Sequence, residues 1–259
     1  MRPAFCRFPA RKSVACRGFR PLTFVEARLA EVRRLLDDDS LAEAVTTARL
    51  DSVSGYEIWA ETYDDPGNAA CGTGRCTRIL AGRGHRVIGV DSSAAMLAKA
   101  SGGDFRLGEL THLPVDDAAV DLVVCGLALT HVAELGPVLA EFARVLRPGG
   151  HVVVCDVHPE SVARGSVPAL RGPDGRPGRV VSHRHLVGDY LRAALAARLT
   201  VLRCEEPGLP PKDPAPATTE PGPWELWPWS LAALVPEAAR AAAKDVPAML
   251  VWQFRLPGM

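Results

Sequence analysis

The sequence predicts a doubly wound α/β domain with a mostly parallel sheet, and three observations carry that prediction. A glycine-rich turn, Cys71-Gly-Thr-Gly74, stands where a helical pattern begins. Short apolar runs at 86–90, 120–125 and 151–155 read as strands. The second is apolar on both faces, as an interior strand of a parallel sheet requires. Helical patterns separate these runs, and strands alternating with helices at this spacing make βαβ units with right-handed crossovers.

The elements follow in order. Residues 23–36 carry apolar side chains at helical spacing with Thr23 as cap, and Asp37-Asp-Asp-Ser40 ends the pattern. Ser40 can cap a second helix reaching about residue 50. Residues 56–63 form a short aromatic segment that leads to the turn Asp64-Asp-Pro-Gly67. After the glycine turn a helix is expected at 77–81, stopped by Gly82 and Gly84, and a strand at 86–90. A helix at 93–100 ends in Ser101-Gly-Gly103, and a short strand at 105–107 leads to Gly108-Glu109. The strand at 120–125 is followed by a helix at 135–146, stopped by Arg147-Pro-Gly-Gly150 before the buried strand at 151–155. Residues 164–179, rich in Gly, Pro and Arg, read as a surface loop, 186–198 as a helix and 199–204 as a strand. Residues 207–228 hold eight prolines and two of the five tryptophans, Trp224 and Trp227, with Trp229 just beyond. A loop of that length is functional or disordered. A helix at 230–243 and a strand at 248–254 close the chain.

The domain reading is a basic leader at 1–22, an N-terminal helical cap at 23–68 and an α/β domain at 69–259 with the Pro/Trp-rich loop at 207–229. The leader carries Arg2, Arg7, Arg11, Lys12, Arg17 and Arg20 with no acid among them, which resembles a transit peptide. Pro3 and Pro9 interrupt any amphipathic helix there, so the segment reads as a disordered leader or a start assigned too early.

The bulk numbers narrow the setting. A chain of 259 residues is long enough for one full core with additions. Lys+Arg 30 balance Asp+Glu 30, so no net field favours nucleic acid or an anionic membrane. No apolar run reaches the roughly 18 residues of a bilayer span. The 7 cysteines are scattered without Cys-x-x-Cys spacing, against both a disulfide framework and a zinc site. Cys125 and Cys155 fall inside apolar runs as small core residues. A reducing, cytoplasmic setting is expected.

The glycine turn carries the chemistry. Gly72 and Gly74 let a backbone approach a ligand closely, at the start of a helix. Asp91, ending the run Arg86-Val-Ile-Gly-Val-Asp91, stands roughly 20 residues on, where a carboxylate can take two ribose hydroxyls. A nucleoside site follows. The plain alternative is an ordinary helix-initiating loop. A nicotinamide dinucleotide would call for a third glycine, and Thr77 stands there instead.

The glycine turn, strand-end Asp91, Gly108-Glu109, the 120–125 strand and Arg147-Pro-Gly-Gly150 before another strand form an ordered set. In that order the chain resembles the class I S-adenosylmethionine-dependent methyltransferases, in particular the small-molecule branch called type 11. The motifs span residues 56–155, and element order extends the likeness to the C-terminus. The resemblance implies a Rossmann-like methyltransferase fold whose last strand, 248–254 here, runs reversed. It implies S-adenosyl-L-methionine as cofactor. Cys71, Gly72, Thr73 and Gly74 would pass beneath its methionine part, and Asp91, with Ser92 beside it, would bind the ribose hydroxyls. Met96 would pack on the adenine, Glu109 would face its amino group, and Leu110 would add a backbone contact. Gly126 to Ala128 would line the pocket near the sulfonium, and Tyr63 matches an aromatic position before the first strand. The implied reaction is in-line methyl transfer to a small-molecule acceptor. Alignment of the reacting atoms contributes up to about 7–11 kcal/mol in favourable cases.

One departure is specific. The family carries an acid two or three positions before its Cys-Gly-Thr-Gly unit, after an apolar strand. Here that position is Asn68, preceded by Pro66-Gly67. The helix and first strand that normally lead into the turn are therefore expected to be missing, on the order of 20 residues of a doubly wound unit. Either the turn is displaced or the chain is a damaged or misassembled gene product.

His131, after the 120–125 strand, and His158, in Asp156-Val-His158, are the candidate catalytic bases, since an imidazole titrates near neutral pH. The bland alternative for each is a pocket-wall or solvent histidine. His183-x-His185 puts two rings on one face of a strand, but with no nearby acid or cysteine pair no metal is expected. The Pro/Trp segment is a substrate lid, a partner-binding loop or a solvated connector. No basic stripe argues for a nucleic-acid acceptor. Two other functions stay open: a non-catalytic relative and a nicotinamide-dependent oxidoreductase.

Overall fold

The computed structural model describes residues 48–61, 63, 73–164, 168–171, 177–208, 241 and 244–258. The described elements run β1 (Ala48–Leu50), α1 (Ser52–Trp59), α2 (Arg75–Gly82), β2 (Ile88–Asp91), α3 (Ala94–Lys99), β3 (Asp104–Leu107) and β4 (Val120–Gly126). They continue with α4 (Leu135–Val145), β5 (Leu146–Val157), α5 (Pro159–Ala163), β6 (Ala169–Arg171), β7 (Pro177–Val180), α6 (Val187–Ala196), β8 (Thr200–Glu205) and β9 (Met249–Arg255). The expected helix at 23–36, the leader, most of the expected helix at 230–243 and most of the Pro/Trp loop lie outside the described residues.

The main sheet has the order β4-β5-β9-β8. Strand β5 runs parallel to β4, and β9 runs antiparallel to both β5 and β8, so the last strand is the reversed one. This is the expected α/β architecture. Helices α4 and α6 pack on each other, and α4 buries Val138, Leu139 and Phe142 with Val152 and Val154 of β5. The core continues through Tyr190, Trp252 and Phe254, whose rings stack in series at 5.9 and 5.3 Å.

Three details differ from the sequence reading. Residues 48–50 form a strand rather than a helix end, paired in parallel with β7. Residues 164–179 are not only a loop, since β6 and β7 form an antiparallel pair that buries Leu170 and Val180 against Trp59, Tyr63 and Met96. Tertiary burial of apolar residues overrides local propensity here. Third, Arg147-Pro-Gly-Gly150 lies inside β5 rather than before it. The register passes from Val120↔Leu146 directly to Leu122↔His151, so the four residues form a bulge.

The sheet is in two pieces. Strands β2 and β3 pair in parallel with Asp91 opposite Leu107, apart from the four-stranded sheet. Among the described residues no strand pairs with both β2 and β4. Strand β4 was expected to be buried on both faces, yet Leu122 and Val124 are each 44% exposed. The segment 64–72, where the first strand is expected to be missing, lies outside the described residues, Asn68 with it.

Candidate active site

The site is built at the carboxyl ends of β2, β4 and β5. Cys71 and Gly72 lie outside the described residues, so the turn begins with Thr73, which is buried, and Gly74. Gly74 has φ +84 and opens α2. A Cβ there would stand 2.9 Å from the Phe105 ring, and one on Gly89 of β2 would stand 2.5 Å from it. Phe105 of β3 thus lies across both glycines and pins the helix start to the β2–β3 pair. Any larger residue at 89 would push that ring away.

Asp91 closes β2. One of its carboxylate oxygens accepts the Ser93 N–H at 2.8 Å, which turns the chain into α3, and the Ser93 hydroxyl caps that helix at Met96 N. The Asp91 carboxyl is raised from its ordinary value, first by burial and then by the Glu109 charge, while the Ser93 and Ser92 N–H groups pull it back. Glu109 is exposed just beyond β3, bridged to His112, and Leu110 is half-buried beside it. The backbone Gly108 N–H donates to Asp91 O at 3.0 Å, which ties the two carboxylate-bearing turns together. Met96 is 1% exposed and packs with Trp59, Ala60 and Tyr63. Tyr63 joins an aromatic cluster with Trp59 and Tyr56, with ring centroids 5.2–5.9 Å apart.

After Gly126, Leu127 adopts φ +57, an unusual conformation for a residue with a branched side chain. Its N–H donates to Cys155 O at 2.8 Å. A single turn of 3-10 helix, Leu129–His131, follows. His131 is engaged at both nitrogens. Nδ1 lies 3.2 Å from Val181 O, which can only accept, and Nε2 lies 3.0 Å from the Tyr56 hydroxyl. Val181 O calls for a proton on Nδ1, and in the neutral imidazole Tyr56 then donates to Nε2. Burial pushes the Tyr56 hydroxyl far above its ordinary range, which keeps it a donor.

Burial lowers the His131 imidazole from its ordinary value. The Val181 hydrogen bond and the Asp156 charge oppose that fall, and His183 adds to it. An unfolded chain takes this proton near pH 6.5 and the folded chain only at lower pH. The stability that neutral His131 contributes is present above pH 6.5 and is lost as pH falls through the folded value. Wild type should thus lose melting temperature more steeply than His131→Gln between pH 7.5 and 5.5. Parallel curves would refute the assignment.

His158 is placed differently. It is buried, its Nδ1 accepts the Glu160 N–H at 3.1 Å to cap α5, and its Nε2 donates to Glu206 at 3.1 Å. Both nitrogens hold structure, and no lone pair is left to take a proton from an acceptor. His185 Nε2 donates to Leu129 O and Val132 O at 3.1 and 2.8 Å, and its ring stacks on His183. Among the described residues no group of three or more His, Cys, Asp or Glu could hold a metal. A cavity of about 570 Å³ opens between Ala133–Gly136, His183–His185 and the α6 face of Asp189 and Arg192. None of the expected cofactor residues lines it.

Two residues of the site escaped the sequence reading. Tyr56 stood in the aromatic segment, but nothing in its spacing ties it to a histidine 75 residues away. Asp156 stood beside His158 in the sequence, and its role shows only through contacts across the sheet.

Residues 68–154 match the family model described as a methyltransferase domain. A malonyl-[acyl-carrier protein] O-methyltransferase of Yersinia pestis is 34% identical over 128 residues, which is 48% of this chain and 45% of that protein. A demethylmenaquinone methyltransferase of Clavibacter sepedonicus is 33% identical over 126 residues, 46% and 48% of the two chains. The chain spans about half the length of the relatives it matches. Among solved structures, an S-adenosylmethionine-dependent methyltransferase from Mesorhizobium loti aligns with TM-score 0.50 at 23% identity, covering 72% of this chain and 88% of that one. One from Methanosarcina mazei aligns at 0.51 and 15% identity, covering 73% and 91%.

The fold is that of the class I S-adenosylmethionine-dependent methyltransferases. The family match, at residues 68–154, is to a methyltransferase domain. The cofactor of that class is S-adenosylmethionine, and the Asp91 carboxylate fits its ribose. A carboxylate has about four acceptor positions. Ser92 and Ser93 N–H groups take two at Asp91, which leaves two for vicinal hydroxyls.

Proposed function

We propose that the chain transfers a methyl group from S-adenosylmethionine to a small-molecule acceptor in the cytoplasm. The observation that carries this reading is Asp91, a half-buried carboxylate at the end of β2 within a methyltransferase domain. S-adenosylmethionine, when bound, supplies an electrophilic sulfonium methyl group. Asp91 and Ser92 would hold its ribose, Cys71, Gly72, Thr73 and Gly74 would run under its methionine part, and Gly126 would lie near the methyl. Glu109, Leu110, Met96 and Tyr63 would enclose the adenine side. The relatives' names, a malonyl-[acyl-carrier protein] O-methyltransferase and a demethylmenaquinone methyltransferase, support a small acceptor. No described helix is long and apolar enough to cross a membrane.

An acceptor whose nucleophile carries a proton must lose it, and the Tyr56–His131 pair supplies the route. Tyr56 can pass its hydroxyl proton to His131 Nε2 as its oxygen takes one from the acceptor. Tyr56 ends neutral and His131 becomes an imidazolium, still donating from Nδ1 to Val181 O. General base help of this kind contributes about 10²–10⁴-fold.

Thermal shift tests the cofactor. At about 100 times its Kd, S-adenosylhomocysteine should add about 2.7 kcal/mol of stability and raise Tm by roughly 5–10 °C, while NADH leaves it unchanged. A shift with NADH alone would overturn the reading.

A further inference from the structure

We propose that Asp156 is the positioning residue of the site: its buried carboxylate gathers the backbone of the Leu129–His131 turn and fixes where the His131 ring stands. The functional part of this inference rests on the reading of His131 as the proton acceptor, while the geometric part does not. Asp156 is 0% exposed at the end of β5. Its Oδ2 accepts the Leu129 N–H at 2.6 Å and the Thr130 N–H at 3.1 Å, and its Oδ1 accepts the Val157 N–H at 2.7 Å. The Thr130 hydroxyl also bonds to the carboxylate.

A buried carboxylate is costly unless its hydrogen bonds are met, and here only donors meet it. Those donors come mainly from one short turn. The carbonyl side of the same turn is held as fully: His185 Nε2 bonds Leu129 O, and the His183 N–H donates to Thr130 O at 2.7 Å. The N–H and C=O groups of Leu129 and Thr130 therefore all have partners.

The strain beside it gives this arrangement meaning. Leu127, two residues before the turn, holds φ +57. A non-glycine residue stays in that region only where its surroundings over-determine it. Leu127 is held on one side by its own N–H to Cys155 O and on the other by Asp156, which fixes the turn two residues on. Without the carboxylate the turn can relax, and the ring that reaches from it to Val181 O and Tyr56 moves with it.

The ring faces Tyr56 from α1, His183 from the segment after β7, and Asp156 from β5; of these, the side chain of Asp156 alone also holds N–H groups of the turn that carries it, those of Leu129 and Thr130. The test is Asp156→Asn in the full chain. The amide keeps the shape and removes a desolvated charge, but presents N–H groups where a backbone N–H now donates. Nitrogen NMR of the imidazole, without cofactor or acceptor, should show a single Nδ1–H tautomer in wild type and a mixture in Asp156→Asn. The pH at which His131 takes up its proton should move as well. If the variant folds with tautomer and titration unchanged, the proposal fails.

Should Asp156→Asn not fold, Thr130→Val decides. It removes only the hydroxyl bond to the same carboxylate, and should shift the tautomer ratio the same way by less. No shift there overturns the proposal. In turnover, Asp156→Asn should lower kcat by up to about 10²-fold, the scale for misplacing a catalytic group, and displace the kcat–pH profile with little change in KM. A changed tautomer with an unchanged kcat–pH profile would leave the positioning intact and remove His131 as the proton acceptor.

Discussion

A chain with about 20 residues restored before Cys71, including an apolar strand that ends in Asp in place of Asn68, should melt higher and bind S-adenosylhomocysteine more tightly than the chain as it stands. The interior strands here are apolar runs such as Leu122-Val-Val124 and Val152-Val-Val154, and no such run lies between Tyr63 and Cys71. Ala69-Ala-Cys71 reaches only about 10 Å at 3.3 Å per residue, too short for a central strand. The described sheet is split at the corresponding place, with β2–β3 on one side and β4–β5–β9–β8 on the other. Leu122 and Val124 also leave one face of β4 half open. Covering those two side chains contributes about 2 kcal/mol, and each ladder hydrogen bond adds about 0.5–1.5 kcal/mol. A gain of several kcal/mol in a chain of this size raises Tm by about 5 °C or more. The restored strand would also aim the glycine turn at Asp91, so methyl transfer should rise with affinity. Equal Tm and equal affinity in the two chains would show that some other segment fills the sheet.

The regular half of the fold was legible because its code is local. Apolar runs of strand length and glycines at helix ends placed the elements from α2 to α4 within a few residues, and found β5 though not where it starts. The reversed β9 followed from element order. The β1–β7–β6 sheet was not legible, since Ala48–Leu50 becomes a strand by pairing with Pro177–Val180 across 130 residues of chain. Local signals carry nothing of such a partner. Arg147-Pro-Gly-Gly150 misled for a related reason: it reads as a stop, yet the sheet absorbs it as a bulge.

The site divides in the same way. The place of Asp91 at the end of β2 was legible because an apolar run marks its strand. His131 was legible as a residue but not as one half of a pair, because Tyr56 approaches it from another element. His158 shows the opposite case. Its place after a strand suggested a base, and its neighbours Glu160 and Glu206 make it a cap.

The account rests most heavily on Asp91, and calorimetric titration of S-adenosylhomocysteine into wild type and Asp91→Ala tests it most directly. Hydrogen bonds to a charged group contribute about 1.5–3 kcal/mol, so the variant should bind about 10- to 150-fold more weakly. The fold should survive, because burial already raises this carboxyl and its charge is a cost to the folded state at neutral pH. The Ser93 hydroxyl still caps α3 in the variant. The predicted result is a large loss of affinity at a nearly unchanged melting temperature. Equal affinity in the two proteins would remove Asp91 from the site and the methyltransferase reading of this geometry with it.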